Sequence, residues 1–175
     1  MIDVQLSVDE RHRAAAAALA VNDNKARLGN PGSSDKYGVD PFDSRYQSFC
    51  AEIAVSKVLG IPEPAWPLYA GGDGKVDLRT ADGASVQVKY RGERQRDLAT
   101  EGLDFWSELK ADIYVLVWPG LEGAGSYTVV GWCTRKDFFS RVTERPPVRM
   151  KGLKYELRWQ DLHPALTLGE VIKVA

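Results

Sequence analysis

Near the start of the chain a capping signal is followed by a run of apolar residues, mostly alanine, a pattern that favours a helix. Ser7 and Glu10 fit a capping box, in which a serine hydroxyl and a glutamate carboxylate each accept a backbone N–H at the start of a helix. The alanine-rich segment that follows is predicted to stay helical to about Leu28, where Gly29-Asn30-Pro31 ends it. A long first helix is therefore expected.

A second helix is predicted from Asp43 or Ser44, either of which can cap it, to Leu59. Gly60 supplies the residue that commonly ends a helix in a left-handed conformation. The apolar side chains of this segment recur at intervals of three and four, at Tyr46, Phe49, Cys50, Ile53, Ala54 and Val58. Such a stripe predicts a helix that packs with one face against a core.

Beyond residue 74 the pattern changes to alternation, which is typical of strands with one buried face. Residues 75–80 and 85–89 alternate polar and apolar side chains around Ala81-Asp82-Gly83, so they predict a hairpin. Segments rich in β-branched and aromatic residues predict further strands, with a short helix among them: strands over 112–118, 127–132 and 154–159, and the helix over 135–142. This order predicts an α+β fold, a mixed sheet flanked by helices.

The register of the predicted hairpin follows from its loop. A three-residue loop places its glycine where a left-handed residue is favoured and sets Leu78 opposite Val86. Because side chains alternate between the two faces of a strand, Asp77, Gln87 and Lys89 then share the polar face. A two-residue turn would mix polar and apolar side chains on both faces, which is costly where one face is buried.

Asp77, Gln87 and Lys89 are therefore candidates for a metal site. A carboxylate and an amide oxygen about 5 Å apart at Cβ can share a hard cation such as Mg²⁺, which prefers oxygen ligands. An ammonium group beside them can bind a phosphate oxygen or position a water. Glu52 is the candidate second carboxylate, because it lies beside Ile53 on the predicted second helix, an unusual place for a solvated glutamate.

Each of these residues also has an ordinary structural interpretation. Asp77 and Gln87 could be polar residues of a solvated strand, and Lys89 could be a surface lysine. Glu52 could pair with a basic residue of its own helix. Asp73 could replace Asp77 as the metal aspartate, but it precedes the predicted strand, between glycines that favour a loop.

The segment Gly72-Asp73-Gly74-Lys75-Val76-Asp77-Leu78, followed by Gln87-Val88-Lys89, resembles the PD-(D/E)xK nuclease superfamily. It is most similar to the branch that includes Mrr-type restriction endonucleases, which carries Q-x-K in place of E-x-K. The segment from Phe49 to Gly60 is similar to the helix that supplies the first glutamate of the family. The resemblance covers roughly residues 42–142, including the predicted strands and helix after the motif.

The resemblance implies a restriction-endonuclease-like fold and a deoxyribonuclease that depends on Mg²⁺ or Mn²⁺, encoded by a phage or a mobile element. The implied catalytic residues are Glu52, Asp77, Gln87 and Lys89, and the implied metal ligands are Glu52, Asp77, Gln87 and the carbonyl of Val88. Gln87 stands where the commoner pattern has an acidic residue, so weaker metal binding is expected. The alternative is a catalytically silent member of the fold that binds nucleic acid or a protein partner.

The length and composition are those of one globular domain, which we expect to span residues 1–175. We divide it into an N-terminal helix and loop (1–41), a core (42–142) and a C-terminal extension (143–175).

The net charge of −1, from 23 basic and 24 acidic residues, does not by itself favour a DNA partner. A DNA site must then arise from local segregation of charge. Arg91, Arg94 and Arg96 follow Lys89 with Glu93 as the one intervening acid, so these three arginines are the predicted nucleic-acid-binding residues.

Two further features concern location. Cys50 and Cys133 are too few for a disulfide framework and suit a reducing cytosol. The longest suspicious run, eight residues from Ala14 to Val21, is too short to span a bilayer, which needs about 20 apolar residues. We therefore expect a cytoplasmic protein without a membrane partner, and the sequence leaves a homodimer open.

Overall fold

A computed structural model of the chain describes residues 1–27, 40–66, 76–101, 109–142, 148–150 and 152–171. The glycine-rich approach Gly72-Asp73-Gly74-Lys75 and the predicted helix end at Gly29-Asn30-Pro31 lie outside the described residues. Within the described ranges, no helix has both the length and the apolar character needed to cross a membrane.

The first helix, α1 (Val8–Arg27), begins at the predicted capping box. The Ser7 backbone N–H donates to Glu10 Oε2 at 2.6 Å, and the Glu10 N–H donates to Ser7 Oγ at 3.2 Å. Each bond supplies a side-chain acceptor to a backbone N–H that has no helical partner at the start of a helix. The prediction of a helix here is confirmed, and its buried face carries Ala14, Ala18 and Val21.

The second helix, α2 (Pro41–Leu59), begins earlier than predicted. Asp40 caps it instead of Asp43 or Ser44, because its carboxylate accepts a backbone N–H of the first turn at 2.9 Å. Proline is well suited to the first helical position, where its missing N–H has no helical partner to lose. The predicted end is confirmed, since Gly60 follows with φ = 64°.

The part of the chain that the structure describes also contains nine strands and two shorter α-helices. In chain order, the strands are β1 (Ile2–Gln5), β2 (Leu78–Arg79), β3 (Ser85–Tyr90), β4 (Leu98–Glu101), β5 (Ile113–Pro119), β6 (Ser126–Thr134), β7 (Val148–Met150), β8 (Gly152–Leu157) and β9 (His163–Pro164). The helices are α3 (Arg135–Val142), which confirms the predicted helix over 135–142, and α4 (Leu168–Val171).

The strands form two sheets. The main sheet has the order β1-β6-β5-β3-β2, with β9 also paired to β6, and the second sheet has the order β4-β8-β7. In the main sheet β3 and β5 are parallel, whereas the other pairs are antiparallel. A mixed sheet combined with helices confirms the predicted α+β class, and the restriction-endonuclease-like topology stays a prediction.

An apolar cluster lies on each face of the main sheet. On one face β3, β5 and β6 pack against α1 and α2 through a cluster that includes Val86 and Val115. On the opposite face β5 and β6 pack against α3 and β8 through a cluster that includes Tyr114, Trp118 and Phe138. Neighbouring residues of β5 belong to different clusters because strand side chains alternate. The α2 side of the sheet is therefore the side on which Val86 is buried.

Several strands differ from the sequence-based expectation. The sequence did not predict four of the strands: β1, β4, β7 and β9. Each has only two to four residues, too few for an alternation of polar and apolar side chains to be recognised. The strand β2 covers two residues of the predicted 75–80. The strands β1 and β9 lie outside the predicted core of 42–142, yet both pair with β6. The division of the chain into three regions stays a prediction.

Candidate active site

The β2–β3 hairpin has the register predicted from its three-residue loop. Leu78 pairs with Val86, and the next pair toward the loop joins Arg79 and Ser85. The Thr80 N–H donates to the Ala84 carbonyl at 3.0 Å. Gly83, at φ = 92°, holds the left-handed position of the loop, which side chains disfavour.

This register directs Gln87 and Lys89 to the face of the sheet opposite α2. Val86 is buried in the α2-side cluster and Val88 packs against it, so the alternate residues point the other way. In the parallel pairing with β5, Gln87 lies beside Tyr114. Gln87 is only 8% exposed. The Gln87 amide is therefore a candidate oxygen donor on this face.

Asp77 lies where the regular β2–β3 pairing ends. Its backbone N–H donates to the Val86 carbonyl at 2.9 Å, and its carboxylate Oδ2 accepts the Val88 N–H at 2.6 Å. The Asp77 side chain thereby accepts a hydrogen bond that the backbone of a longer β2 would otherwise accept. In a strand the N–H and C=O of one residue point to the same edge. The Val88 carbonyl therefore faces the edge on which the Asp77 carboxylate lies.

The start of β3 is fixed to β5 by Asp112. Ser85 donates to Asp112 Oδ2 through its hydroxyl at 2.6 Å and its backbone N–H at 2.9 Å, and the Asp112 N–H donates back to Ser85 Oγ at 3.0 Å. The hydrogen bonds from the Ser85 hydroxyl and N–H hold the pKa of the Asp112 carboxyl below its usual range. These bonds set the position of the strand that carries the predicted Q-x-K residues.

Glu52 lies on α2 and is 6% exposed. The Trp66 indole Nε1 donates to Glu52 Oε2 at 2.5 Å. The Trp66 ring also stacks on Phe49, one turn earlier on α2, with a centroid distance of 4.6 Å. The expectation that this glutamate does not lie on a solvated helix surface is confirmed.

A cleft of about 300 Å³ lies beside Asp77. Its walls are the strand segment that contains Asp77 and the proline-rich segment that follows α2, namely Val76, Asp77, Leu78 and Arg79 on one side and Pro62, Glu63, Pro64 and Ala65 on the other. The second wall continues directly into Trp66, the partner of Glu52. The 61–66 segment therefore links the neighbourhoods of the two carboxylates.

The predicted site residues thus belong to two different parts of the fold. Asp77, Gln87, Lys89 and the backbone of Val88 lie on or beside the β2 edge of β3, whereas Glu52 belongs to the helix on the opposite face. The Asp77 edge of β3 and the Glu52 side of α2 are connected by the segment that follows α2, which borders the cleft beside Asp77. No three His, Cys, Asp or Glu side chains of the described ranges cluster closely enough to hold a metal ion, and the predicted set contains two carboxylates.

Among the three predicted nucleic-acid-binding arginines, Arg94 is held by protein groups. Its Nη1 donates to the Pro119 carbonyl at 3.1 Å and to Thr128 Oγ1 at 3.2 Å. Its guanidinium carbon lies 5.7 Å from the ring centroid of Trp118, within range of a cation–π contact. These contacts favour a structural role for Arg94 at the end of the β5–β6 hairpin.

Arg91 and Arg96 border a polar cavity of about 440 Å³. Arg91 Nε donates to the Asp97 carbonyl at 3.1 Å, and Arg96 pairs with Glu93 at 2.7 Å on the exposed surface. The cavity is lined by two basic and three acidic residues together with a glycine and a glutamine: Arg91, Gly92, Glu93, Gln95, Arg96, Asp97 and Glu156. DNA binding by Arg91 and Arg96 stays a prediction.

Sequence reasoning did not identify Trp66 as a partner of Glu52. The two residues are 14 positions apart, and no spacing rule for a helix or a hairpin connects them. The available signals were a tryptophan at the end of a proline-rich link and a glutamate among apolar residues. Neither signal indicates that the two residues are in contact, which is seen only in the folded structure.

No family model, curated protein or solved structure matches this chain. The resemblance to PD-(D/E)xK nucleases therefore rests on the residues of the chain itself.

Proposed function

We propose that the protein is a deoxyribonuclease that hydrolyses phosphodiester bonds with Mg²⁺ or Mn²⁺ and uses a PD-(D/E)xK-like site. The observation that carries this proposal is the β2–β3 register, with Leu78 opposite Val86. Asp77 directly precedes Leu78 and Gln87 directly follows Val86, so this pairing supports a site in which Asp77 lies close to the Q-x-K segment. In this proposal the substrate is DNA and the protein is cytoplasmic. A homodimer is also compatible with the proposal.

The oxygen donors beside the β3 edge suit a hard divalent cation. The Asp77 carboxylate and the Val88 carbonyl face the same edge, and the Gln87 side chain, 8% exposed, lies on the same strand as Val88. The Asp77–Val88 bond does not prevent metal binding, since a carboxylate has about four acceptor sites. Glu52 would add the second carboxylate from the α2 side. A bound Mg²⁺ or Mn²⁺ would acidify the attacking water and offset negative charge on the scissile phosphate.

The lysine of the pattern supplies a charge that the ligands do not. Lys89 lies two residues after Gln87 on the same face of β3, so its ammonium group orients the attacking water or neutralises the phosphate. In the reaction water adds to phosphorus, one P–O ester bond breaks, and the leaving sugar oxygen takes up a proton. Arg91, which follows β3 directly, and Arg96 extend the positive charge along the DNA backbone.

One observation favours the alternative of a catalytically silent protein of this fold that binds nucleic acid or a protein partner. The Asp77 carboxylate satisfies the Val88 N–H at the end of a strand of two residues. An aspartate at this place stabilises the open edge of β3 without any metal. The same residue pattern could therefore persist in a protein without nuclease activity.

Incubation of the protein with supercoiled, linear and branched DNA tests the proposal. We expect cleavage with Mg²⁺ or Mn²⁺ and none in EDTA. Lys89→Ala should abolish cleavage while its Mn²⁺ affinity by calorimetry stays near that of the wild type, because an ammonium group is not a ligand. Lys136→Ala, at an exposed lysine of α3, is the matched control and should cleave normally.

Three results would contradict the proposal. Cleavage that persists in EDTA would exclude the metal-dependent mechanism. A wild-type protein that binds no Mn²⁺ and cleaves none of the three DNA forms would favour the silent alternative. Equal loss of Mn²⁺ affinity in Lys89→Ala and Asp77→Ala would mean that the roles of these two residues are wrongly assigned.

A further inference from the structure

We propose that Trp66 is a positioning residue that orients Glu52 for metal binding, so that the 61–66 segment sets the metal affinity of the site. This inference rests on the proposed function. It assigns a role to a residue outside the sequence pattern, through a contact that the sequence did not predict.

The contact between Trp66 and Glu52 has a defined geometry. The indole N–H is a donor only, and it lies 2.5 Å from Oε2 of the carboxylate. Stacking on Phe49 at 4.6 Å fixes the plane of the indole ring, and with it the direction of the N–H bond. One oxygen of Glu52 is therefore tied to a rigid donor, which limits rotation of the carboxylate.

Burial increases the importance of this bond. Glu52 is 6% exposed, and its helical neighbours Ala51 and Ile53 are completely buried. A carboxylate taken out of water needs hydrogen-bond partners to stay charged and in place. Trp66 supplies such a partner directly from the chain that follows α2.

The 61–66 segment also contacts α1 and the cleft beside Asp77. Arg13 of α1 makes two hydrogen bonds to the Glu63 carboxylate, at 3.0 and 2.6 Å. Pro62 and Pro64 restrict the backbone on either side of Glu63. The same segment forms one wall of the cleft that contains Asp77. Its position thus relates Glu52 to the other predicted ligands.

The size of the effect follows from the behaviour of known metal sites. Residues that hydrogen-bond to a metal ligand, without touching the metal, typically change metal affinity by about 10–100-fold when they are replaced. Loss of the indole N–H should therefore weaken Mn²⁺ binding about tenfold or more, even if the ring packing is kept.

The variant Trp66→Phe removes the N–H and keeps an aromatic ring against Phe49. Trp118→Phe is the matched control, because its indole N–H donates to a backbone carbonyl, that of Arg96, at 2.9 Å. Calorimetric titration should show Mn²⁺ affinity at least about tenfold lower for Trp66→Phe and within about twofold of wild type for Trp118→Phe. Circular dichroism of each variant checks that the fold is retained.

A spectroscopic measurement on the wild-type protein makes the test independent of that variant. In ¹⁵N-labelled protein, Mg²⁺ should shift the indole N–H resonance of Trp66, and Glu52→Gln should remove the shift. If wild type binds Mn²⁺ but Trp66→Phe binds it equally well, or the indole resonance does not respond to Mg²⁺, the role of Trp66 is wrong and the proposed function stands. If wild type binds no Mn²⁺ at all, both proposals are overturned.

Discussion

The β5–β6 and β2–β3 hairpins belong to one sheet, yet they differ in length and in what they bury. β5 and β6 pair at seven positions from Ile113 to Pro119, and residues 113–118 of β5 are all buried. β2 and β3 pair at two positions, and the second half of β3 is only partly buried. The first hairpin is apolar on both faces, whereas the second is apolar on one face only.

The two hairpins therefore contribute differently: β5–β6 to the stability of the fold, and β2–β3 to the candidate site. A long hairpin buried on both faces contributes apolar surface to both clusters, so it stabilises the fold. A hairpin that ends after two pairs leaves the edge of β3 open, and an open edge exposes polar groups that must find partners. In this protein Asp77 is such a partner, and the Val88 carbonyl faces the same edge.

The largest expected effect comes from shortening a side chain of the buried hairpin. Trp118 of β5 is 1% exposed, packs edge-on against Trp159 and donates its N–H to the Arg96 carbonyl. Trp118→Ala should lower the free energy of unfolding by about 3–5 kcal/mol, because it leaves a large cavity. Urea denaturation followed by circular dichroism measures this change.

The corresponding change in the short hairpin should be small. Arg79 of β2 is exposed, so Arg79→Ala should alter the free energy of unfolding by no more than about 0.5 kcal/mol. Similar destabilisation by the two variants would show that stability is not concentrated in β5–β6.

The second effect separates the two roles of Asp77. Asp77→Ala leaves the Val88 N–H without its acceptor and should destabilise the protein by about 1–3 kcal/mol, whereas Asp77→Asn keeps an acceptor oxygen and should cost less. Both variants should lose Mn²⁺ binding in calorimetry, since an amide oxygen carries no negative charge.

Two outcomes would contradict these roles. Unchanged stability in Asp77→Ala would mean that the bond to Val88 contributes little. Mn²⁺ binding that survives in Asp77→Asn at full strength would remove the Asp77 charge from the proposed site.

The contrast between the hairpins also explains which features the sequence could predict. The apolar run Ile113–Trp118 predicts a buried strand by itself, and the loop glycine at position 83 with the alternation around it predicts the register of Leu78 and Val86. Both features depend on local pattern. The capping box of Ser7 and Glu10 was predictable for the same reason.

Contacts between distant segments could not be predicted in this way. β1 pairs with β6 more than 120 positions later, and four residues are too few for their alternation to be recognised. The bond from Trp66 to Glu52 depends on how the chain turns after Gly60. Asp77 and Gln87 were predicted from local spacing, whereas the contact between Trp66 and Glu52 was not predicted.

The third effect concerns the charge at position 87. Gln87→Glu places a carboxylate at a residue that is 8% exposed. Without metal, loss of hydration and repulsion from the Asp77 carboxylate should lower the stability of the protein. With metal, the added charge should raise the affinity for Mn²⁺ about tenfold, or ~1.4 kcal/mol. Calorimetry and thermal melts with and without Mn²⁺ measure both changes. Gln160→Glu, at an exposed glutamine, is the matched control. An unchanged Mn²⁺ dissociation constant would remove Gln87 from the site.

The smallest expected effect concerns the junction between the two hairpins, where Asp112 binds Ser85. Because the Ser85 hydrogen bonds lower the pKa of Asp112 in the folded state, their contribution to stability is complete above the unfolded pKa. This contribution is lost as the pH falls from the usual carboxyl pKa, about 4, through the lower pKa of Asp112 in the folded protein.

Ser85→Ala removes the hydroxyl donor and should lower the free energy of unfolding at pH 7 by about 0.5–1 kcal/mol, a small value because the carboxylate is exposed to solvent. The difference between wild type and Ser85→Ala should shrink between pH 5 and pH 3, since Asp112 loses its charge there. Asp112→Asn should remove this pH-dependent part while other acidic groups still titrate. Urea denaturation at a series of pH values measures all three proteins. A difference that stays constant from pH 7 to pH 3 would mean that Ser85 stabilises the junction through packing instead of through the charge of Asp112.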